Sequence, residues 1–409
     1  MGLYSERIYK CPYCLHEFKQ EDIEKDDVKE TNNGKIIFCP NKEIGRNGRP
    51  ICHRRLPSDF FKSETKVITI IGGPGTGKTY FFMALQRILQ DSSIQDLGIS
   101  GTLYFPDKDS EEHFSSLSNN VRDRIKIEPT KPDADEERNA FCLQINNDRR
   151  LFPKTIYISF FDNPGEIFVD EGSMMNNMNL CNSDAVFFLV APEQIKPLIN
   201  HIAKDTKSTK GEEDDVEIRK NRPKEKTNLE TIIGNERPGA ESTQPFLNII
   251  NNIIRIYDAK NNNRVIDTPF AICLSKFDLV EESLTEKQSF GLPYPIPHDI
   301  NYSDDSNNKE FEEFLTQYDF IDRLAIKVYN IFYNKNYDCT NLFKKIKINS
   351  QYLHYFFQKI NFSQIKNRIQ NHFSNYSLFV IQSINQKWEL EPRGISLPLL
   401  WILKQLKLY

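Results

Sequence analysis

The sequence predicts an α/β fold in three layers, with a mostly parallel sheet between helices, preceded by a small cysteine-rich module. Apolar runs typical of buried strands alternate with stretches whose apolar residues recur at helical spacing. A glycine-rich turn follows the first apolar run, and four of the eight cysteines fall before residue 53. Alternating strands and helices favour parallel strands that are covered on both faces.

Composition limits the possible classes of protein. The chain has 409 residues, enough for two or three domains or for one enlarged α/β domain with an appendage. A hydrophobic fraction of 39% is that of a folded protein, and a net charge of -4 gives no overall attraction to nucleic acid. No basic and apolar leader opens the chain, and no apolar run approaches the roughly 18 residues that span a bilayer. We therefore expect a cytoplasmic protein without a membrane partner.

Three regions differ in composition. Residues 1–58 are rich in charge, Asn, Gly and Pro, which predicts a small cysteine-rich module that cannot sustain a core unaided. Residues 59–409 contain the alternating strand and helix patterns and form the predicted α/β domain. Within it, residues 201–243 are dominated by Lys, Glu, Asp, Asn and Pro, which predicts a charged, mobile insertion.

The predicted elements follow from apolar periodicity. The first strand is predicted at residues 67–71, and the helix after the glycine-rich turn at residues 80–90. Further strands are predicted at residues 140–145, 155–161, 184–190, 270–274 and 378–381. Further helices are predicted at residues 245–257 and 311–332, with a weaker helical pattern between residues 106 and 139.

The glycine-rich turn satisfies the phosphate-loop pattern G-x-x-x-x-G-K-[ST] between a strand and a helix. It reads Gly72, Gly73, Pro74, Gly75, Thr76, Gly77, Lys78 and Thr79. Glycines let successive backbone N–H groups point at phosphate oxygens, and the helix N-terminus favours negative charge. Lys78 is predicted to neutralise the β- and γ-phosphates, and the Thr79 hydroxyl to bind Mg²⁺. The sequence thus predicts a P-loop NTPase fold that binds a nucleoside triphosphate with magnesium.

An acidic motif follows the predicted strand at residues 155–161. Asp162, Asn163, Pro164 and Gly165 carry the D-x-x-G pattern of GTPases, and Glu166 follows. Asp162 is predicted to hold a magnesium-bound water and the Gly165 N–H to meet the γ-phosphate, so that phosphate loss would release the next loop as a switch. The alternative is a turn without a ligand, which these residue types also favour. Glu166 is a candidate for orienting water, and with Lys78 and Asp162 it completes the predicted catalytic set.

A base-reading motif follows the predicted strand at residues 270–274. Ser275, Lys276, Phe277 and Asp278 are close to the N/T-K-x-D pattern that reads guanine. The Asp278 carboxylate can accept hydrogen bonds from guanine N1–H and the exocyclic amine, while the Lys276 stem packs along the base. Adenine lacks this pair of donors, which favours GTP or GDP. Ser275 departs from the pattern, so an adenine nucleotide stays open as the alternative.

In their order and context these motifs resemble the Ras-like, translation-factor-related (TRAFAC) class of P-loop GTPases, over most of residues 64–409. The chain resembles more closely the bacterial double-GTPase families of conflict and defence gene clusters, which pair such a domain with N-terminal cysteine knuckles. Residues 394–401 are also similar to the C-terminal segment of those families. The resemblance implies a GTP-hydrolysing switch that controls a protein partner encoded nearby in an antiviral (anti-phage) defence system. It also implies slow turnover without that partner.

The N-terminal cysteines predict a zinc-ribbon-like module. Cys11 and Cys14 flank a tight C-P-Y-C knuckle, and Cys39 and Cys52 complete a tetrahedral set for Zn²⁺. The metal would stabilise a module with little core of its own. The second pair is separated by twelve residues, which leaves His16 and His53 as possible substitutes. Glutaredoxins also carry C-P-Y-C, but their chemistry needs a βαβ setting that these residues lack.

Two other functions remain open on the sequence. One is an ATPase in which Asp162 and Glu166 act as paired acidic groups. The other is a nucleotide-binding scaffold that hydrolyses little and uses the zinc module to bind protein or nucleic acid. The arginines near the cysteines are a candidate basic patch, although a solvated face explains them more simply. They are Arg46, Arg49, Arg54 and Arg55.

Overall fold

The architecture is taken from a computed structural model. It describes residues 7–31, 34–43, 52–90, 99–105, 108–123, 125, 140–147, 154–161, 180, 182–195, 244–261, 265–276, 350, 353, 363–384 and 389–408. The predicted insertion at residues 201–243 and the predicted helix at residues 311–332 lie outside this part of the chain.

The described residues form short strands near the N-terminus and longer strands and helices after residue 63. The strands are β1 (Ile8–Lys10), β2 (Glu17–Lys19), β3 (Val28–Thr31), β4 (Gly34–Ile37), β5 (Glu64–Ile71), β6 (Ile99–Tyr104), β7 (Ala140–Asn147), β8 (Lys154–Phe161), β9 (Ala185–Val190), β10 (Phe270–Leu274), β11 (Tyr376–Val380), β12 (Gln382–Ile384) and β13 (Leu390–Arg393). The α-helices are α1 (Lys78–Leu89), α2 (Lys108–Arg122), α3 (Gln244–Asn261), α4 (Ser363–His372) and α5 (Ser396–Gln405).

A seven-stranded sheet organises the molecule, in the order β11-β10-β9-β5-β8-β7-β6. The strands from β11 to β8 are parallel to their neighbours, whereas β7 and β6 pair antiparallel at one edge. On β5, Thr69 lies opposite Phe161 of β8, and Ile71 lies opposite Phe188 of β9. The phosphate-loop strand therefore lies between two parallel neighbours, and the mostly parallel α/β sheet is confirmed.

Helices α1, α2 and α5 cover one face of the sheet. Ile68 and Ile70 of β5 share a core on this face with Phe160 of β8 and Phe187 of β9. Phe81 of α1 meets the Phe187 ring at 5.0 Å between centroids, edge to face. The continuous apolar runs of β9 and β10 are typical of parallel strands buried on both faces.

The opposite face is divided between helices and the cysteine-rich module. Helices α3 and α4 cover β9, β10 and β11, where Phe270 and Phe188 are buried. The module covers β5, β7 and β8, and its core includes one residue from each of these strands: Val67, Cys142 and Tyr157. Because side chains alternate along a strand, Val67 meets the module while Ile68 meets the helices on the other face.

Most sequence-based elements are confirmed, and the differences have local causes. The first strand begins at Glu64, ahead of the predicted start at residue 67. The residues between them are polar, so they do not extend the apolar run. The first helix begins at Lys78, because two phosphate-loop residues form its first turn. Strand β6 was missed, since its Gly-Thr interior weakens the apolar pattern. Within the described residues no helix is both long and apolar enough to cross a bilayer.

Candidate nucleotide and metal sites

The phosphate loop joins the end of β5 at Ile71 to the start of α1 at Lys78. Gly75 and Gly77 have φ angles of 73° and 83°, in the left-handed region that favours glycine. Gly77 caps α1, and its carbonyl accepts a hydrogen bond of 2.8 Å from the Phe81 N–H. The loop thus turns directly into a helix N-terminus, which presents backbone N–H groups to an anion.

The first glycine of the loop lies tightly against β9. A Cβ atom on Gly72 would lie 2.8 Å from the Leu189 carbonyl oxygen and 2.5 Å from Oγ1 of Thr76. Thr76 is itself buried and donates a hydrogen bond of 3.0 Å to the Gly73 carbonyl. Only glycine fits at residue 72 in this packing, so the loop has a defined shape before any ligand binds.

Lys78 is largely buried against this loop. Its Nζ atom donates to the Gly72 carbonyl at 3.0 Å and to the Gly73 carbonyl at 3.2 Å. A buried ammonium group beside a helix N-terminus concentrates positive potential where the loop wraps. The loop therefore has the donor groups that a phosphate needs, and charge neutralisation by Lys78 stays a prediction.

Two further strand ends reach the same edge of the sheet. Phe161 closes β8 beside β5, and the predicted magnesium residue Asp162 comes next in the chain. At the end of β10, Ser275 is buried and donates to the Val190 carbonyl from both its N–H, at 2.8 Å, and its Oγ, at 3.2 Å. Lys276 follows with a φ of 52°, so the chain turns sharply there.

The structure therefore brings together the whole predicted phosphate loop and the start of the base-reading motif. Asp162, Gly165, Glu166 and Asp278 lie outside the described residues, and their predicted roles stay predictions.

Sequence reasoning missed one residue at this edge, Gln194. It ends a 3-10 turn, Pro192–Gln194, that follows β9. Its Oε1 accepts a hydrogen bond of 3.2 Å from the Ala191 N–H, and its Nε2 lies against Gly73 of the phosphate loop. The available signal was positional, because this turn follows the strand that neighbours β5.

The four N-terminal cysteines converge in space. Their Sγ atoms all lie within 4.8 Å of one another. Cys11 and Cys52 are 3.8 Å apart at sulfur, and Cys14 and Cys39 are 3.7 Å apart. The long spacing of the second pair is closed by a β-bridge between Phe38 and Arg55, which draws the segments on either side together.

Comparison with known proteins identifies the segment that carries the phosphate loop. Residues 66–220 match the model of a family described as Double-GTPase 2. The match runs from β5 through the phosphate loop and past β9, and the resemblance drawn from the motifs is confirmed. A search among curated proteins gives no match to the chain.

The cysteine cluster packed on this Double-GTPase 2 segment has the composition of a metal site. Burial raises the pKa of the Cys11 thiol, while hydrogen bonds from Cys11 and Cys39 lower the pKa of Cys14. Backbone N–H groups approach two of the sulfurs, from Tyr13 to Cys11 at 3.4 Å and from Asn41 to Cys39 at 3.5 Å. Such donors favour thiolate, and a bound cation would stabilise the negative charge of four close sulfurs. The four cysteines could therefore hold a metal ion.

The two histidines considered as substitutes lie outside this cluster. The ring of His53 places Nδ1 3.1 Å from the Cys39 carbonyl and 3.6 Å from the buried Asp27 carboxylate. His16 stacks on Phe18, with 6.2 Å between ring centroids. Among the residues the structure describes, the metal-type cluster consists of cysteines alone.

Proposed function

We propose that the chain binds GTP and GDP with Mg²⁺ and hydrolyses GTP as a molecular switch that controls a partner protein. The observation that carries the proposal is the phosphate loop with its buried Lys78, held at the parallel centre of the sheet within the Double-GTPase 2 segment. The alternation of helices and strands around this loop and the family match point to the same class of ligand.

Each predicted residue has a defined role in this function. Lys78 neutralises the phosphates, and Thr79 and Asp162 hold Mg²⁺, which stabilises the charge that develops on the phosphoryl oxygens. Gly165 offers its N–H to the γ-phosphate, and Glu166 orients the attacking water. The placement of β8 beside β5 supports the assignment of Asp162, because parallel neighbours end at the same edge of the sheet.

Guanine recognition is assigned to Asp278 and Lys276. The left-handed turn at Lys276 and the double hydrogen bond of Ser275 to Val190 support it, because they fix the start of the motif beside β9. A bidentate contact from one carboxylate to the two guanine donors would favour GTP over ATP.

Competition binding tests the base preference. Wild type is expected to bind GTP more tightly than ATP, and Asp278→Ala to lose about a hundredfold in GTP affinity, because two charge-assisted hydrogen bonds are removed. Asp267→Ala, which removes an exposed carboxylate from the segment just before β10, at the opposite end of that strand, is the matched control and should bind as wild type. Equal affinities of wild type for GTP and ATP would instead support an ATPase.

Hydrolysis is tested separately from binding. We expect slow release of phosphate from GTP by wild type alone and none by Lys78→Ala. Tight GTP binding without any turnover, with or without added partner, would leave a nucleotide-binding scaffold as the function.

Control of a partner in a defence system rests on the resemblance to double-GTPase families from conflict gene clusters. The test is capture of proteins encoded by neighbouring genes on the chain loaded with GDP or with a non-hydrolysable GTP analogue. Capture that depends on the nucleotide supports a switch, and capture that is equal in both states opposes it.

We assign the four-cysteine cluster to Zn²⁺. Four thiolates at these separations suit a closed tetrahedral structural site. Elemental analysis of protein purified without chelator should give one zinc per chain, and Cys14→Ser should lower that content. Protein without stoichiometric zinc, or with another metal, would oppose the assignment.

A further inference from the structure

Gln194 connects the end of β9 to the phosphate loop through a side chain of fixed orientation. The turn that carries it is closed by backbone hydrogen bonds from Gln194 N–H to Ala191 O, at 2.9 Å, and from Ile195 N–H to Pro192 O, at 3.0 Å. The Ala191 N–H can only donate, so the amide oxygen must face it at 3.2 Å. The amide nitrogen is thereby directed away from Ala191 and toward Gly73.

The amide nitrogen occupies the space that a side chain at residue 73 would take. A Cβ atom on Gly73 would lie 2.5 Å from Nε2 of Gln194, whereas the next nearest atoms, on Gln194 and Ile249, are 3.6 and 3.7 Å away. The backbone at Gly73 is not in the left-handed region, so its conformation does not demand glycine. The end of the Gln194 side chain is therefore the group packed most closely against Gly73.

Gly73 is a central acceptor of the loop. Its carbonyl accepts hydrogen bonds from Lys78 Nζ at 3.2 Å and from Thr76 Oγ1 at 3.0 Å. Anything that fixes the Gly73 peptide also fixes the position from which the Lys78 ammonium is presented.

We propose that Gln194 is a positioning residue for the phosphate loop, which holds Gly73 against the end of β9 and so orients Lys78 toward the bound phosphates. The inference rests on the proposed nucleotide binding and names a residue outside the phosphate-loop motif that tunes it. It also requires a polar and neutral side chain, since an acid at residue 194 would place negative charge beside the loop.

The test is a double-mutant cycle on GTP affinity, measured with a fluorescent GTP analogue and Mg²⁺. Gln194→Ala removes the amide, and Gly73→Ala displaces it by steric conflict. Each single variant is expected to bind about fivefold more weakly, because the Gly73 peptide loses the side chain that packs against it. The double variant should also bind about fivefold more weakly, because both changes remove the same contact.

Two further variants separate positioning from stability. Gly101→Ala is the matched control, because its Cβ would lie 2.9 Å from the Leu89 Cβ, in a similar conflict away from the loop. It should lower the unfolding midpoint and leave GTP affinity unchanged. Gln194→Glu keeps the size and the acceptor for Ala191, and it should weaken GTP binding more than GDP binding, because the added charge repels the larger anion.

The outcomes distinguish this inference from the proposed function. Wild type that binds no nucleotide refutes both. Wild type that binds GTP, with single variants of unchanged affinity, refutes the role of Gln194 alone. Effects that add in the double variant, or variants that lose stability but keep affinity, likewise overturn it.

Discussion

Two tyrosines where the cysteine-rich module meets the sheet should respond to the same substitution with opposite signs. Tyr13 lies in the knuckle, Tyr157 lies on β8, and each is 2% exposed. The Tyr157 hydroxyl donates to the Asp59 carboxylate. The Tyr13 hydroxyl is buried without a hydrogen-bond partner among the residues described. Tyr157→Phe therefore removes a hydrogen bond, whereas Tyr13→Phe removes the unsatisfied hydroxyl.

The expected magnitudes follow from these surroundings. A hydrogen bond to a carboxylate stabilises by about 1.5–3 kcal/mol, and Asp59 still accepts a second bond from Ser63 Oγ at 3.2 Å. We therefore expect Tyr157→Phe to lower the free energy of unfolding by about 1.5 kcal/mol, at the lower end of that range. A buried hydroxyl without a hydrogen-bond partner costs about 1–3 kcal/mol, so Tyr13→Phe should raise the free energy of unfolding by about 1 kcal/mol.

Urea denaturation of the metal-loaded full chain, followed by circular dichroism, measures both changes. Midpoints should move in opposite directions, while the dependence of the unfolding free energy on urea stays constant, because neither substitution alters the surface exposed on unfolding. The two variants serve as each other's control, since the chemical change is identical. Destabilisation by Tyr13→Phe as large as that by Tyr157→Phe would refute the reasoning, because it would require a partner for the Tyr13 hydroxyl.

Three further outcomes are expected. Removing metal with a chelator should lower the melting temperature in a single calorimetric transition, because the cysteines share a core with Val67 of β5; separate melting of the module would contradict this. Burial raises the pKa of Tyr13 and Tyr157 in the folded protein. The free energy of unfolding should therefore stay constant below about pH 10, where the unfolded tyrosines keep their protons, and decrease above it. Urea titrations at a series of pH values measure this change. Asp184→Ala should lower the free energy of unfolding by about 1–2 kcal/mol in the same denaturation assay, because the Val67 N–H loses its 2.8 Å hydrogen bond to the carboxylate. Unchanged stability would count against that contact.

The fold could be predicted to the extent that its signals are local. Parallel strands buried on both faces leave continuous apolar runs, so β9 and β10 were found nearly residue for residue. Strand β6 was not found, because Ile99 is its one buried residue and Gly101 interrupts the pattern. Its pairing with β7 is a tertiary contact, which leaves no mark on the local sequence. Packing of the cysteine-rich module on the sheet likewise left no local signal.

The candidate site, like the fold, was predictable where its residues are close in sequence and not where they meet only in the folded chain. Gly72 to Thr79 could be predicted because the loop is contiguous and each residue type has its own chemical reason. Gln194 could not, since its contact with Gly73 joins residues more than a hundred positions apart. The four cysteines were predicted as ligands from number and spacing, but choosing them over His53 needed the structure, in which the ring faces the Cys39 carbonyl.

The cysteine-rich module takes the place of a covering helix on one half of the sheet, and its removal tests whether it is separable. A chain beginning at residue 59 would expose Val67, Cys142 and Tyr157, which are at most 2% exposed in the intact fold, as one contiguous apolar patch. It should be less soluble and melt earlier than the full chain. Substituting Val67 with Thr in the shortened chain should recover part of the solubility. A shortened chain as stable as the full one would show that the module contributes no core to the sheet.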